Sequence, residues 1–319
     1  MSEWLPSASP ESLAVRADLL WVLRRFFVDR GVLEVETPLL SQGTIPDAGI
    51  DIFRLPGEAD ERDRYLQTSP ESAMKRLLAA GSGDIFQICK AFRQGEAGRH
   101  HNPEFTMLEW YRVGWDHAAL MREVAELLGI VLKSDGWQIW PYRALFIELL
   151  GVDPLNEHTS LTTLTDLAES RIGLVPDDLD RDAVLDLLMS HCIEPGISDW
   201  GLVFITDFPM SQAAMARCIP IGDVDVAARF ECYLNGKELA NGYWEQIDPD
   251  ALAAQLHAEN TRRQQRGLPL RPIDERLLAA HRHGLPECAG VALGVDRLLA
   301  LKLGVESVAE TISFGWDRA

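Results

Sequence analysis

Residues 85–113 read IFQICKAFRQGEAGRHHNPEFTMLEWYRV, and this stretch decides the fold. Residues 85–92 and 105–113 at its two ends look like strands, because apolar, aromatic and β-branched side chains dominate both. The polar segment that joins them, residues 93–104, is unusually long for a hairpin loop, and long loops in compact domains are often functional. The stretch therefore predicts an antiparallel hairpin whose loop has a functional role.

The residues at the base of this loop suit a nucleotide. Arg93 follows the first predicted strand directly, and an arginine can grip a phosphate with a planar fork of donors. The loop can close over a base, for which Phe105 can supply an apolar face. The alternative is a charged hairpin with a solvated tip, as polar loops commonly are. The length and the detail of this loop favour the nucleotide site.

A glycine-bounded strand that runs into a helix, GVALGVDRLLALKLG at residues 290–304, is the second candidate. Gly294 lets a ligand approach the backbone closely, because glycine has no side chain. Arg297 stands at the predicted start of the helix, where backbone N–H groups favour anions, and it can reach a second phosphate. The alternative is a tight strand–helix turn whose arginine pairs with a surface acid, since a lone glycine-rich turn is a weak motif.

The segment ELANGYWE, residues 238–245, begins and ends with an acid. Glu238 and Glu245 lie in a predicted strand that Asn241-Gly242 interrupts, and the two carboxylates can point into one pocket. There they can hold Mg²⁺ on ATP phosphates or bind an ammonium group. The alternative is a pair of solvated acids on either side of a turn.

The segment Thr68-Ser69-Pro70-Glu71 precedes a predicted helix and has a complete structural explanation. Ser69 is a favourable N-cap, Pro70 suits the first helical position, and Glu71 interacts well with the helix dipole. In the functional alternative, Glu71 binds the ammonium group of a substrate.

Helices and strands in the rest of the chain do not alternate regularly. Residues 11–30 have apolar side chains at helical spacing, and residues 32–38 alternate like a strand. Asp248-Pro249 opens another predicted helix, with aspartate as N-cap and proline at the first position. This order predicts an α+β fold with a largely antiparallel sheet flanked by helices, and we expect residues 1–319 to form a single domain.

Composition restricts the partners and the compartment. The net charge is −19, from 30 basic and 49 acidic side chains, which argues against tRNA because nucleic-acid binders depend on cations that pair with phosphates. No apolar segment approaches the length needed to span a membrane, and no secretory signal begins the chain. Five cysteines without a CxxC pair indicate free thiols in a reducing cytoplasm.

Three segments in this order resemble the three signature motifs of class II aminoacyl-tRNA synthetases. The first helix with Glu36-Thr37-Pro38 resembles motif 1, Arg93 through Tyr111 resembles motif 2, and GVALGVDRL resembles motif 3. The sequence segments HNPEFTMLEWY, TSPE and ELANGYWE resemble the corresponding segments of the lysyl branch of that family. The resemblance covers nearly the whole chain. It implies a class II catalytic fold and a homodimer built around motif 1, near residues 11–40.

A lysyl-tRNA synthetase carries an N-terminal domain that reads the anticodon, and we expect none here because Pro38 lies so near the start of the chain. This arrangement resembles the elongation factor P–(R)-β-lysine ligase family, in which a synthetase-like enzyme attaches β-lysine to a lysine of elongation factor P. Ala292, where lysyl-tRNA synthetases usually have glycine, also resembles that family. A larger residue there would reshape the amino-acid pocket, as a displaced amino group requires.

The resemblance implies a role for each matching position. Binding of ATP is implied for Arg93, Asn102, Glu238, the backbone of Leu239, Gly294 and Arg297. Arg93 and Arg297 would be the catalytic residues, since they would neutralise phosphate charge. Binding of the amino acid is implied for Ser69, Pro70, Glu71, Tyr111 and Glu245. Glu238 and Glu245 also stand where the lysyl branch places ligands for Mg²⁺, so Glu245 has two candidate roles.

The loop departs from the family at one position. The family usually reads Phe-Arg-Asn-Glu, and its glutamate contacts the adenine side, whereas Gly95 stands at that position here. Either the loop shifts so that Glu96 replaces the missing glutamate, or the backbone alone holds adenine.

The implied reaction is ATP-dependent activation of β-lysine or lysine as an acyl-adenylate, followed by transfer to a lysine side chain of elongation factor P. Two alternatives stay open: an enzyme that charges tRNA or another small acceptor, and a non-catalytic regulatory paralogue. The acidic balance opposes the first, and the retention of Arg93, Glu238, Glu245 and Arg297 opposes the second. No histidine has an evident claim as base for the transfer step, for which the AMP phosphate is a candidate.

Overall fold

The computed structural model describes residues 4–58, 62–133, 136–176 and 178–319. Within these ranges the α-helices are α1 (Pro10–Val28), α2 (Glu71–Ala79), α3 (His117–Leu132), α4 (Tyr142–Leu150), α5 (Leu161–Ile172), α6 (Arg181–Leu188), α7 (Glu194–Gly196), α8 (Pro249–Gln265), α9 (Glu275–Gly284) and α10 (Val295–Leu303). The strands are β1 (Leu33–Glu34), β2 (Leu40–Ser41), β3 (Arg54–Leu55), β4 (Arg64–Leu66), β5 (Ile85–Phe92), β6 (Glu104–Val113), β7 (Gln138–Pro141), β8 (Leu202–Pro209), β9 (Cys218–Ile221), β10 (Val224–Leu234), β11 (Lys237–Trp244) and β12 (Cys288–Gly294).

The chain divides into two compact units, Met1–Ser134 with Gln246–Ala319, and Asp135–Glu245. In the first unit, β5 pairs in parallel with β1 and antiparallel with β6, and β6 pairs antiparallel with β12. The short strands β2, β4 and β3 form a separate antiparallel sheet. In the second unit, β10 pairs antiparallel with β8, β9 and β11, and β7 lies parallel to β8. The predicted α+β fold with a largely antiparallel sheet is therefore confirmed, whereas a single catalytic domain over residues 1–319 stays a prediction.

The two faces of the β5–β6 hairpin have different surroundings. On one face, Phe86 and Trp110 are paired in register, and Phe27 of α1 packs on both, with ring centroids 4.7 and 5.1 Å away. On the other face, Ile85 and Tyr111 pack with Met74 and other residues of a small buried cluster that includes α2. Helix α1 thus covers one side of the hairpin, and α2 covers one end of the opposite side.

Local sequence accounts for most element ends in the first unit. Ser9 caps α1 by accepting a hydrogen bond from the backbone N–H of Ser12 at 3.1 Å, and Asp248 caps α8, which begins at Pro249 as predicted. The strand predicted over 32–38 is shorter, because ladder pairing is confined to Leu33–Glu34.

The second unit has its own core. Tyr142 and Phe146 of α4 stack at 4.5 Å, and Phe208 of β8 lies 5.0 Å from Tyr142. Burial raises the pKa of the Tyr142 hydroxyl well above its usual range. In the described parts of the chain, no helix combines the length and the apolar character needed to cross a membrane.

Candidate active site

One face of the sheet in the first unit, here called the site face, collects several of the predicted site residues. Residues paired across an antiparallel sheet share a face, and alternate residues along a strand return to it. The register pairs Glu109 with Ala292 and Gln87, and Tyr111 with Gly290 and Ile85. The site face therefore carries, from end to end, Phe105, Met107, Glu109 and Tyr111 on β6, Cys89, Gln87 and Ile85 on β5, and Gly294, Ala292 and Gly290 on β12.

The end of the site face at Phe105 is cationic. The Arg93 guanidinium lies 5.2 Å from the centroid of the Phe105 ring, which permits a cation–π contact. The Nη1 atom of Arg93 is 3.8 Å from the Glu96 carboxylate, which is in turn 3.9 Å from Nε2 of His101. Arg297 donates to that same Nε2 at 2.6 Å and to the carbonyl oxygen of His100 at 3.3 Å. The structure thus brings both predicted catalytic arginines to one cluster.

The geometry of this cluster fits an anionic ligand. The cluster contains two guanidinium groups and one carboxylate, so the side chains of Arg93, Arg297 and Glu96 together carry a net positive charge. The Nε atom of Arg93 is buried and has no hydrogen-bond partner among the described residues. Arginine recognises phosphate through several donors in one plane, so an unused buried donor in a cationic cluster matches a phosphate oxygen.

The backbone explains the glycine at position 95. Gly95 has φ +83°, a left-handed conformation that side-chain-bearing residues rarely adopt. The turn that follows brings the Glu96 carboxylate toward Arg93. The position of Glu96 agrees with a shifted loop, although its contact with adenine stays a prediction.

Both the nitrogen and the oxygen of the Asn102 side-chain amide form hydrogen bonds within the protein. Its Nδ2 donates to the carbonyl oxygen of Glu104 at 2.7 Å, and its Oδ1 accepts from the backbone N–H of Trp316 at 2.9 Å. Asn102 therefore joins the loop to the C-terminal segment. Its predicted contact with ATP stays a prediction.

A buried network fixes the start of α10, and with it Arg297. Asp296 accepts from Nη1 of Arg16 at 2.6 Å and from the backbone N–H of Thr106 at 2.8 Å. The other terminal nitrogen of Arg16 donates to the Thr106 hydroxyl at 2.7 Å. Asp296 therefore ties α1, β6 and α10 together beside the cationic end. Sequence reasoning named only its neighbour Arg297.

The opposite end of the site face is acidic. Tyr111 donates its hydroxyl hydrogen to Glu109 at 2.8 Å, and both residues are buried. Burial, with a smaller contribution from the negative charge of Glu109, raises the pKa of the Cys89 thiol to about 12. A buried carboxylate beside a phenol can bind an ammonium group. Sequence reasoning missed Glu109, although it stands two residues before Tyr111 and so had to share its face.

The helix that follows the TSPE segment begins one residue later than predicted. The helix begins at Glu71, so Pro70 is the N-cap, and the Ser69 hydroxyl accepts from the backbone N–H of Glu71 at 3.1 Å. The Glu71 carboxylate accepts a hydrogen bond from Lys75 at 2.6 Å. The N-cap assignment of Ser69 is therefore wrong, because Pro70 has a ψ of 1° and lies outside the helix. Roles of Ser69, Pro70 and Glu71 in binding the amino acid stay predictions.

A cavity of about 470 Å³ lies behind this segment, and Ser69 and Pro70 form part of its lining. Its charged lining consists of Arg64, Arg76 and Arg276 with a single acid, Asp274. A ligand with two ammonium groups requires the opposite balance of charge. The cavity therefore does not fit lysine or β-lysine.

A β-bulge arranges the acids of the second unit. Tyr233 pairs with Glu238, but the preceding residue, Cys232, pairs with Ala240, so Leu239 is an extra residue on β11. The bulge places Glu238 on the same face as Glu231 and Asn241, and continued alternation brings Glu245 to that side. The strand runs through Asn241-Gly242 without a break, so the predicted interruption is wrong. The extra residue leaves the backbone of Leu239 outside the regular ladder.

Sequence reasoning also missed Glu231 on this face. Its carboxylate accepts from Arg229 and from the Tyr233 hydroxyl, both at 2.5 Å, and from Asn241 at 3.2 Å. Burial, assisted by the negative charge of Glu238 and opposed by Arg229, raises the pKa of Glu231. Glu231 and Glu238 share this face, where their like charges repel each other.

The acids suit a cation that brings further ligands with it. Among the described residues, no group of three histidine, cysteine or acidic side chains forms a ready-made metal site. Mg²⁺ is commonly bound by one or two carboxylates together with water and substrate phosphates. Glu238, with Glu245 buried on the same side, fits that use, and the assignment stays a prediction.

Comparison with known proteins agrees with the geometry. The family described as tRNA synthetases class II (D, K and N) matches residues 5–318. Elongation factor P–(R)-β-lysine ligases are similar over nearly their full length. The one from Pectobacterium carotovorum subsp. carotovorum (strain PC1) is 48% identical over 100% of this chain and 99% of its own. Those from Vibrio cholerae serotype O1 and Salmonella typhi are each 47% identical, over 100% and 99% of this chain and 99% and 98% of their own.

These matches confirm the resemblance that the motifs indicated. The class II fold that the three motifs implied extends over the matched range. The chain belongs to the class II synthetases of the D, K and N type and, within them, to the elongation factor P–(R)-β-lysine ligase family.

Proposed function

We propose that this protein uses ATP to activate (R)-β-lysine and transfers it to a lysine side chain of elongation factor P. The carrying observation is the site face, which has Arg93 and Arg297 at one end and Glu109 with Tyr111 at the other. In a β-lysyl-adenylate, the anionic phosphate joins the adenosine to the lysyl group, whose ammonium groups point away from it, so this distribution of charge matches it. The relatives support the same substrate and acceptor by name.

In the first step, a carboxylate oxygen of β-lysine attacks the α-phosphorus of ATP, and the bond to the leaving pyrophosphate breaks. The protein's task is to align these groups and to neutralise the phosphate charge, for which Arg93 and Arg297 are proposed. Phe105 is proposed to face the adenine, with Glu96, Asn102 and Gly294 as further ATP contacts. A Cβ at position 294 would lie 3.9 Å from the Arg297 side chain, an ordinary contact distance. Packing within the protein therefore does not require glycine at this position.

In the second step, the neutral amine of the acceptor lysine attacks the carbonyl carbon of the adenylate, and AMP leaves. A free lysine has a pKa of about 10.4, so its ammonium must lose a proton as it docks. That first proton is proposed to pass to water, and the leaving AMP phosphate is proposed to take the second proton, which the nitrogen loses as the amide bond forms. Ser69, Pro70, Glu71 and Tyr111 are proposed to hold the β-lysine.

The proposed tasks of the second unit concern ATP and its cation. Glu238 and the backbone of Leu239 are proposed to bind ATP, and Glu238 with Glu245 to bind Mg²⁺. The ion would neutralise phosphate charge. Glu245 keeps its second candidate role, binding of the substrate ammonium.

Pyrophosphate exchange into ATP tests the activation step. We expect (R)-β-lysine to support exchange with a higher kcat/KM than L-α-lysine, and the variant Ala292→Gly to narrow that preference. Ala292 pairs with Glu109 on the site face, so its methyl group lies beside the acid proposed to contact the amino acid. Preference of the unmodified enzyme for L-α-lysine would contradict the choice of β-lysine. Absence of exchange with every lysine isomer would contradict the activity itself.

We further propose a cytoplasmic homodimer joined through residues near 11–40. Several large apolar side chains of this region are exposed in the single chain: Trp21, Val28, Leu33, Leu39 and Leu40. Burial of apolar surface of this kind is the main driving force for association. Light scattering at micromolar concentration should give the mass of two chains, and a mass of one chain would refute the dimer.

A further inference from the structure

Lys75 is a fully buried cation next to a residue of the proposed amino-acid site. It lies one turn after Glu71 on α2, with its Nζ atom 2.6 Å from Oε1 of Glu71. The Lys75 side chain has no exposed surface, and 14% of the Glu71 side chain is exposed. Lysine is among the residues least often fully buried, and burial of its charge is unfavourable unless the charge is paired. The position of Lys75 therefore calls for an explanation beyond helix stability.

We propose that Lys75 is a positioning residue that fixes the Glu71 carboxylate for recognition of the substrate ammonium, an inference that rests on the proposed function. One carboxylate oxygen, Oε1, is held by Lys75. Among the described residues, none makes a hydrogen bond to the other oxygen, Oε2, so it can accept from a ligand. A long flexible acid is thereby restricted to one orientation and presents one acceptor.

Lys75 lies on a helix that is packed into the core. Its neighbours Met74 and Leu78 on α2 are buried in the cluster that contains Tyr111, so the helix is packed against the acidic end of the site face. Burial, with a smaller contribution from the positive charge of Lys75, lowers the pKa of His281 to about 4. His281 is therefore neutral at pH 7, and it adds no second positive charge beside Lys75.

Three variants separate positioning from general stabilisation: Lys75→Met, Glu71→Gln and the double variant Lys75→Met/Glu71→Gln. In pyrophosphate exchange, Lys75→Met should raise the KM for (R)-β-lysine roughly 10- to 100-fold, the range expected for a misplaced binding group. The KM for ATP should change less than about twofold, because the cationic end is not altered. The double variant should match Glu71→Gln alone, because Lys75 is proposed to act only through Glu71.

Arg76→Met is the matched control, since Arg76 is the next residue of α2 and is exposed. It should leave both KM values unchanged. The inference would be overturned if the two single-variant effects on the KM for (R)-β-lysine added up in the double variant. It would also be overturned if Lys75→Met raised the KM for ATP as much as the KM for (R)-β-lysine. If Lys75→Met does not fold, comparison of Glu71→Gln with the double variant still decides: equal KM values for (R)-β-lysine support the inference, and a higher KM in the double variant overturns it. Failure of the unmodified enzyme to use any lysine would instead refute the proposed function.

Discussion

Replacing Arg297 with alanine is expected to lower the rate of pyrophosphate exchange roughly 100-fold or more, the usual scale for loss of one preorganised charge contact. Arg297 is held toward the cationic end of the site face by the carbonyl oxygen of His100 and by Nε2 of His101. Alanine removes the guanidinium without disturbing buried apolar packing, so the thermal unfolding midpoint should stay close to that of the unmodified protein.

Arg99→Ala is the matched control for this variant. Arg99 belongs to the same hairpin loop, but it is exposed and forms an ion pair with Glu306. Exposed ion pairs of this kind contribute little to stability, and the side chain lies outside the cluster of Arg93 and Arg297. Its removal should leave exchange within about twofold of normal. An Arg297→Ala protein that is well folded and exchanges pyrophosphate at a near-normal rate would refute the assignment of Arg297.

Replacing the adjacent residue, Asp296, with alanine should lower the stability of the folded protein. The change leaves Arg16, whose side chain is 14% exposed, without its carboxylate and the backbone N–H of Thr106 without its acceptor. Breaking a buried ion pair by removing one partner typically costs about 3–5 kcal/mol. Urea denaturation followed by circular dichroism should show a free energy of unfolding that is lower by that amount.

Asp18→Ala is the corresponding control, because Asp18 is an exposed acid on the same helix as Arg16. Its free energy of unfolding should change by less than about 0.5 kcal/mol, as is usual for surface substitutions. The free energy of unfolding of Asp296→Asn should lie between those of Asp18→Ala and Asp296→Ala. An amide oxygen can still accept from the backbone N–H of Thr106, but it carries no charge for Arg16. A loss below about 1 kcal/mol for Asp296→Ala would show that the network is not a structural tie.

The hairpin at 85–113 could be predicted because its signal is local. Apolar periodicity and the polar loop place β5 and β6 within one residue of the observed bounds. The same holds for Asp248 as the N-cap of α8 and for the passage from β12 into α10. In each case, neighbouring residues determine both the element and its end.

The missed features depend on partners that are distant in the chain. The bulge at Leu239 is defined by the register with β10, and without it Glu238 and Glu245 would lie on opposite faces because seven is an odd spacing. Asn102 finds its partner at Trp316, and the site role of Asp296 depends on Arg16. The burial of Lys75 likewise has no signal in the sequence, because a lysine side chain is typical of the surface. Periodicity alone does not contain these contacts.

The arginines at the end of α8 bear on the choice between elongation factor P and tRNA as acceptor. Arg262, Arg263 and Arg266 lie close together there, yet Arg263 is fully buried and donates to the carbonyl oxygens of Asp47 and Pro269. Arg262 is paired with Glu259. These two side chains are therefore used within the fold, which leaves little of this group for RNA phosphates in a chain of net charge −19.

The most direct test offers both acceptors to one enzyme. The protein is incubated with ATP, Mg²⁺ and radiolabelled (R)-β-lysine, with elongation factor P and total tRNA in the same tube, and the two acceptors are then separated and counted. The proposed function predicts label on a lysine of elongation factor P and none above background on tRNA. Label on tRNA with unlabelled elongation factor P would contradict it and would establish the tRNA-charging alternative.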